Sequence, residues 1–112
     1  MKVLEAIFKR RSVRRYTNQA IRAEDITQLL QAAMAAPTAR TLQEWEFVVV
    51  RDKAMFQKIM AVHPYAKMLA QADCAIVVCG NTKREMAPNY WPADCGAATQ
   101  NILLAATALG IG

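Results

Sequence analysis

Apolar residues recur at helical spacing in several parts of the chain. Residues 2–10 carry a short helical pattern that ends where a cluster of arginines begins. Residues 22–37 predict a second helix, which has acidic residues in its first turn and is stopped by Pro37. Shorter helical segments are expected over residues 53–61 and, after a turn, over residues 63–72. The apolar positions of the first two helices are Val3, Leu4, Ile7 and Phe8, then Ile26, Leu29, Leu30 and Ala33.

Two runs rich in β-branched residues predict strands over residues 45–52 and 73–81. Because residues 48–50 are consecutive valines, we expect the first strand to be buried on both faces, as in the middle of an α/β sheet. The second run contains the apolar stretch CAIVVC and predicts another buried strand. Two strands with about five helical pieces suggest a sheet that is incomplete in this chain.

The longest helical pattern covers residues 93–109 and is apolar almost all round. A helix without a polar face must be buried in a large core or in a subunit interface. A chain of 112 residues has too little other protein to cover it, so we expect a homodimer with this helix at its centre. Gly110 is placed as a C-cap glycine that leads into another element, which suggests a fragment or a naturally short form.

Composition narrows the class of protein. Hydrophobic residues make up 54% of the chain and charged residues 21%, which predicts a single globular domain over residues 1–112. No apolar run approaches the roughly 20 residues that span a bilayer, and the N-terminus is a poor signal peptide. The three cysteines are odd in number and lack CxxC spacing, so we expect buried free thiols. These features favour a reducing cytoplasm and no membrane partner.

Positive charge is concentrated in residues 8–16, FKRRSVRRY, which hold four arginines, one lysine and one serine. The net charge is +5, and without these four arginines the chain has ten basic and nine acidic residues, which is nearly balanced. So dense a cluster suggests a bound anion: nucleic acid, a membrane surface, an acidic partner or the phosphate of a small cofactor. Nucleic-acid-binding proteins more often spread their charge along a face. A solvated surface patch, or arginines that complement the dipole of the first helix, are the structural alternatives.

Three stretches together resemble the nitroreductase family. They are the RRSVR of residues 10–14, the APTARTLQEW of residues 36–45, and the DCGAATQNILLAATALGIG of residues 94–112. The family consists of dimeric, FMN-dependent oxidoreductases that use NAD(P)H. The resemblance implies an α+β fold, an α/β/α sandwich whose central sheet is flanked by helices, with a long buried helix at the dimer interface. Family members usually run longer, so this chain is expected to lack their C-terminal segment.

The resemblance assigns the arginine cluster to FMN. Arg10 and Ser12 are expected at the phosphate and ribityl end of FMN, with Arg11 in the same region. Arg14 is expected at the N1/O2 edge of the flavin. A phosphate dianion favours guanidinium and hydroxyl donors, and a fixed cation near N1 stabilises the reduced flavin. Arg15 is expected to be solvated or to cap a helix.

The second stretch, in the family, lies against the flavin ring of the other subunit. The residues that would line the ring here are Pro37, Thr38, Ala39 and Thr41. Several positions depart from the family pattern, and these departures bear on flavin affinity and substrate shape. They are Thr38 for serine, Arg40 for a small residue, Thr41 for asparagine and Glu44 for proline. Trp45 matches the pattern and is expected to anchor the strand in the core.

Several other residues have more than one possible role. Asp94 is expected to cap the long helix, and Cys95 to pack in the core. Gln100 and Asn101 could form hydrogen bonds across the dimer or near the flavin, and the sequence leaves this open. His63 is expected to be structural, and no metal constellation accompanies it.

The resemblance implies transfer of hydride from NAD(P)H through FMN to a nitroaromatic, quinone or related small-molecule acceptor. The cofactor performs such chemistry, so no acid–base side chain is required. One alternative is a truncated or degenerate relative that dimerises but binds flavin weakly and has no activity. Another is a small basic nucleic-acid-binding protein, whose binding would fall steeply with salt; the apolar long helix and the lack of a recognition motif argue against it.

Overall fold

The computed structural model describes residues 1–84 and 88–112. In this part of the chain, four α-helices and two strands alternate with short 3-10 turns. The helices are α1 (Val3–Lys9), α2 (Ala23–Met34), α3 (Lys53–Val62) and α4 (Trp91–Ala108). The strands are β1 (Trp45–Val50) and β2 (Ala75–Gly80), and the 3-10 turns are Ala39–Thr41, Lys67–Gln71 and Thr82–Arg84. The predicted helices and strands are therefore confirmed, with ends shifted by a few residues.

The two strands form an antiparallel pair, with Trp45 opposite Gly80 at one end. The expectation that β1 is buried on both faces is wrong within this chain, because Val48 is 50% exposed and its partner Val77 is 39% exposed. Among the described residues β1 pairs only with β2, and α4 packs against both strands. The three valines therefore reflect strand propensity rather than complete burial.

The core lies where α4 packs against α2 and the strands. Its buried members are small side chains around one large ring: Ala33, Ala36, Trp45, Cys95 and Ala98. Small residues on both helices allow their backbones to come close together. The contact is fixed by a hydrogen bond in which Asn101 Nδ2 donates to the Ala32 carbonyl at 2.9 Å. Asn101 is thus satisfied within the chain.

Two helices leave apolar side chains uncovered. On α1, Val3 is 72%, Leu4 is 65% and Phe8 is 71% exposed, while Ala6 is the buried position. On α4, burial is complete only near the beginning, and Leu103 is 42% exposed. A single copy of the chain therefore covers α4 only in part, as the sequence argument assumed, and the homodimer that would cover the rest stays a prediction. The described residues also contain no helix with the length and apolar composition needed to cross a bilayer.

The ends of α4 are set by backbone geometry. The helix begins with Tyr90 at its N-cap and Pro92 in its first turn, where a missing amide proton costs nothing. It ends at Ala108, after which Gly110 adopts a left-handed φ of 74°. The Ile111 amide donates back to the Ala106 carbonyl at 2.8 Å. This closure confirms Gly110 as the glycine that terminates the helix.

Candidate functional site

The arginine cluster lies on an irregular segment between α1 and α2, which we call the arginine segment (residues 10–22). Its first residue, Arg10, ends α1 and donates its amide to the Ala6 carbonyl. At the other end, the Ile21 amide donates to Asp73 Oδ2 at 2.9 Å, and Asp73 pairs with Arg51 at 3.1 Å. The segment is therefore attached at both ends, and its middle is free to present side chains.

Arg11 forms its hydrogen bonds with the C-terminal end of α1. Its Nη1 donates to the carbonyls of Phe8 and Arg10, each at 2.8 Å. A guanidinium at this place satisfies carbonyls that the end of a helix leaves without partners, and it complements the helix dipole. Helix capping therefore belongs to Arg11, whereas Arg15 is exposed and solvated. The role of Arg11 at FMN remains a prediction.

The other arginines of the cluster are not neutralised. Arg10 is half-buried and Arg14 is exposed, and neither forms an ion pair with any described residue. By contrast, two cations at the ends of this region, Lys9 and Arg22, and two elsewhere in the described residues do pair with carboxylates. Those pairs are Lys9–Glu5, Arg22–Asp25, Arg51–Asp73 and Arg84–Glu46. The exposed hydroxyl of Ser12 lies between the two unneutralised guanidinium groups in sequence, so this segment has the donors that a phosphate requires.

An open cleft of about 810 Å³ joins Arg14 to a second element. Its polar lining includes Arg14, Arg15 and Lys67, and it contains no carboxylate. The other lining residues are Pro64, Tyr65, Met68 and Gln71. Sequence reasoning missed Lys67. The available signal was that residues 63–72 contain one lysine and no acidic residue, directly after a turn.

The loop that carries the second family stretch has an unusual backbone. Arg40 and Thr41 both have φ of 56°, and Gln43 has φ of 51°, values that L-residues rarely adopt. Thr38 closes the loop, because its Oγ1 accepts the Gln43 amide and its carbonyl accepts the Thr41 amide, both at 3.0 Å. We call residues 37–43 the left-handed loop. Its hydrogen bonds keep several of its amides occupied within the chain.

Asp94 fixes this loop to α4. Both carboxylate oxygens accept the Ala39 amide, at 3.1 and 3.0 Å, and Asp94 is only 6% exposed. The prediction that Asp94 caps α4 is wrong, since the helix begins at Trp91 and its N-cap is Tyr90. The side chain therefore lies within the first turn and reaches out to the loop instead of back to the helix amides.

The residues that follow the loop turn into the core. Glu44 is 2% exposed, and Trp45, at 7%, packs against Phe47 with 5.4 Å between ring centroids. Trp45 is thus confirmed as a core anchor, and the buried Cys95 is confirmed as a packing residue. Burial raises the pKa of the Cys95 thiol above its ordinary value, and the nearby carboxyls of Glu44 and Asp94 raise it further. The thiol is therefore a poor nucleophile.

The remaining candidates have local roles. His63 is exposed, and its Nδ1 accepts the Tyr65 amide at 3.2 Å within the turn, which confirms a structural role. Gln100 is exposed on α4. Burial raises the pKa of the half-buried Cys74 thiol. In the part of the chain that the structure covers, no group of three histidine, cysteine or acidic residues is arranged to hold a metal.

Two clefts lie along the arginine segment, and neither joins it to the left-handed loop. The arginine segment lines the cleft with Lys67 and a second cleft of about 400 Å³ that also includes residues 109–112. No residue of the left-handed loop lines either cleft. Within one chain, Asp94 holds the left-handed loop against α4, and neither cleft joins this loop to Arg14 or Lys67.

Comparison with known proteins identifies the family to which this fold belongs. The sequence profile of the nitroreductase family matches residues 7–62, half of the chain. The chain belongs to the nitroreductase family. A Methanothermobacter thermautotrophicus protein, provisionally named NADH dehydrogenase/NAD(P)H nitroreductase, is 47% identical over the whole chain. This nitroreductase chain covers 59% of that relative.

Solved structures give the same result for the fold. A Bacteroides thetaiotaomicron protein with the same provisional name is 49% identical, with a TM-score of 0.91 over 96% of this chain and 62% of that one. A Desulfovibrio desulfuricans protein provisionally named a nitroreductase, solved in complex with FMN, is 35% identical, with a TM-score of 0.90 over 96% of this chain and 63% of that one. The predicted α+β nitroreductase fold is confirmed. The chain spans about three fifths of the length of each of these three proteins.

Proposed function

We propose that this chain binds FMN and acts as an NAD(P)H-dependent oxidoreductase on a nitroaromatic, quinone or related small-molecule acceptor. The observation that carries the proposal is the arginine segment, where Arg10, Ser12 and Arg14 offer two cations and a hydroxyl with no ion pair among the described residues. The FMN in the Desulfovibrio desulfuricans structure supports the choice of cofactor. The donor NAD(P)H and the free thiols in the described residues fit a cytoplasmic location.

The donor set fits FMN. A phosphate dianion would be held by Arg10 and the Ser12 hydroxyl, with Arg11 beside them at the end of α1. Arg14 would lie at the pyrimidine edge of the flavin, and Lys67, which shares its cleft, would add a second cation there. FMN, when bound, supplies hydride chemistry. The role of Arg14 and Lys67 is to provide a fixed positive field where the reduced ring gathers negative charge.

The two clefts of the arginine segment support a site that is shared within a homodimer. The left-handed loop lines neither cleft of the arginine segment, so we propose that Pro37, Thr38, Ala39 and Thr41 face the FMN held by a second copy of the chain. The exposed apolar residues of α1 and the exposed half of α4 supply a surface for such a partner.

The test is the absorption spectrum of the purified chain before and after incubation with FMN and desalting. We expect a retained visible flavin band that is bleached by NAD(P)H without oxygen. The Arg14→Ala variant should bind FMN about ten- to a hundredfold more weakly, since a hydrogen bond to a charged group contributes about 1.5–3 kcal/mol. Lys58→Ala, at an exposed position of α3, is the matched control and should bind like the wild type. Protein absorbance alone would overturn the proposal and favour the degenerate relative.

A further inference from the structure

Asp94 connects the core of the protein to the left-handed loop. It lies in the first turn of α4, is 6% exposed, and accepts the Ala39 amide with both carboxylate oxygens at 3.1 and 3.0 Å. The positive end of the α4 dipole favours a carboxylate at this position. Cys95, the next residue, is part of the buried cluster, so the carboxylate is attached directly to the core.

The left-handed loop needs such a connection. Arg40, Thr41 and Gln43 have positive φ angles, which persist only where surrounding contacts determine them. Within the loop, Thr38 supplies two hydrogen bonds, to the amides of Thr41 and Gln43. These bonds fix the shape of the loop but not its position on the molecule. The hydrogen bond from the Ala39 amide to Asp94 attaches the loop to α4.

We propose that Asp94 is a positioning residue for the flavin site. It holds Ala39, and through it the backbone of residues 37–41, at the place where the loop meets FMN in the partner subunit. Asp94 acts through the Ala39 amide and does not touch FMN itself. This inference rests on the proposed function, since it assigns a purpose to the loop that only a bound flavin would use.

The test compares the Asp94→Ala and Asp94→Asn variants with the wild-type chain. Asp94→Ala should bind FMN about tenfold more weakly, as expected when a hydrogen bond that a charged group accepts is lost. Asp94→Asn keeps one acceptor oxygen and should recover part of the affinity. In the flavin-free Asp94 variants, amide hydrogen exchange should be faster than in the flavin-free wild type at residues 38–43 and unchanged in α2 and β1. This local pattern distinguishes a positioning role from a general effect on stability. Thr38→Val, which removes the bond to Gln43 without touching the core, should increase exchange in the same loop.

The possible outcomes separate the two proposals. If the wild-type chain takes up no FMN, the proposed function is overturned, and the exchange of residues 38–43 still decides whether Asp94 fixes the loop. If the wild type binds FMN and both Asp94 variants bind equally well, the assignment of Asp94 alone is overturned. Exchange that rises uniformly across the chain in Asp94→Asn would also overturn it, because Asp94 would then stabilise the fold in general.

Discussion

Replacement of Thr41 by asparagine should stabilise this protein. Thr41 has φ of 56°, a left-handed conformation in which a β-branched side chain is strained. Such a residue costs on the order of 1–3 kcal/mol, whereas asparagine adopts this region several times more readily. Thr41 is exposed, and its hydroxyl forms no hydrogen bond with any described residue, so the substitution removes strain without removing a side-chain hydrogen bond. We expect Thr41→Asn to raise the free energy of unfolding by about 1 kcal/mol.

Urea denaturation of the two proteins at one concentration measures this difference, and the melting temperature should rise by about 4 °C. The matched control is Thr82→Asn, an exposed threonine in a 3-10 turn without a positive φ, which should change stability by less than about 0.5 kcal/mol. Thr41→Gly removes the Cβ strain but adds chain entropy to the unfolded state, so its gain should be smaller. Unchanged or lower stability of Thr41→Asn would refute the argument from backbone strain.

Three further predictions concern the surface, the core and pH. Phe8→Glu on α1 should shift a dimer toward monomer in sedimentation, whereas Val62→Glu on α3 should not; equal association of both variants would argue against α1 as the interface. Gly80→Ala places a Cβ 2.6 Å from the tryptophan that begins α4 and should cost about 1–3 kcal/mol in urea denaturation, while Gly96→Ala, with nothing within 4 Å, should not destabilise. Because the pKa of the Cys95 thiol is raised in the folded protein, the thiol ionises just above pH 9.0 mainly in the unfolded chain. The free energy of unfolding should therefore fall as pH rises past this value, and it should fall less in Cys95→Ala. Identical pH dependence of unfolding in the two proteins would contradict the shift.

The order of helices and strands could be predicted because it depends on local patterns. Apolar spacing, Pro37 and Gly110 each act on neighbouring residues, and the structure follows them closely. The faces of β1 could not be predicted in this way. Three consecutive valines indicate a strand, but how much of each valine is covered depends on elements elsewhere in the sequence.

The partners of polar side chains were the least predictable part of the site. The sequence places Asp94 near the start of a helix, where a cap is the usual role, yet its partner Ala39 lies 55 residues earlier. Lys67 joins the cleft of Arg14 only because the chain folds back after β1 and α3. Arg11 differs from these residues because its partners, the carbonyls of Phe8 and Arg10, are close in sequence. Its role at the end of α1 agrees with the alternative stated for the whole cluster, in which arginines complement the dipole of the first helix.

The position of Glu44 bears on whether the unusual loop still allows a working site. From the sequence, replacement of the family's proline by glutamate is expected to add a negative charge near the loop and so to bear on flavin affinity. In the structure the side chain is 2% exposed and lies near Cys95, whose pKa it raises. The carboxyl group is therefore directed to the core and away from the exposed surface of Thr41. Glu44 therefore adds no exposed carboxyl group to the loop. Of the departures from the family pattern, Arg40 and Thr41 are the ones that stay exposed there, and Thr41→Asn reverses one of them.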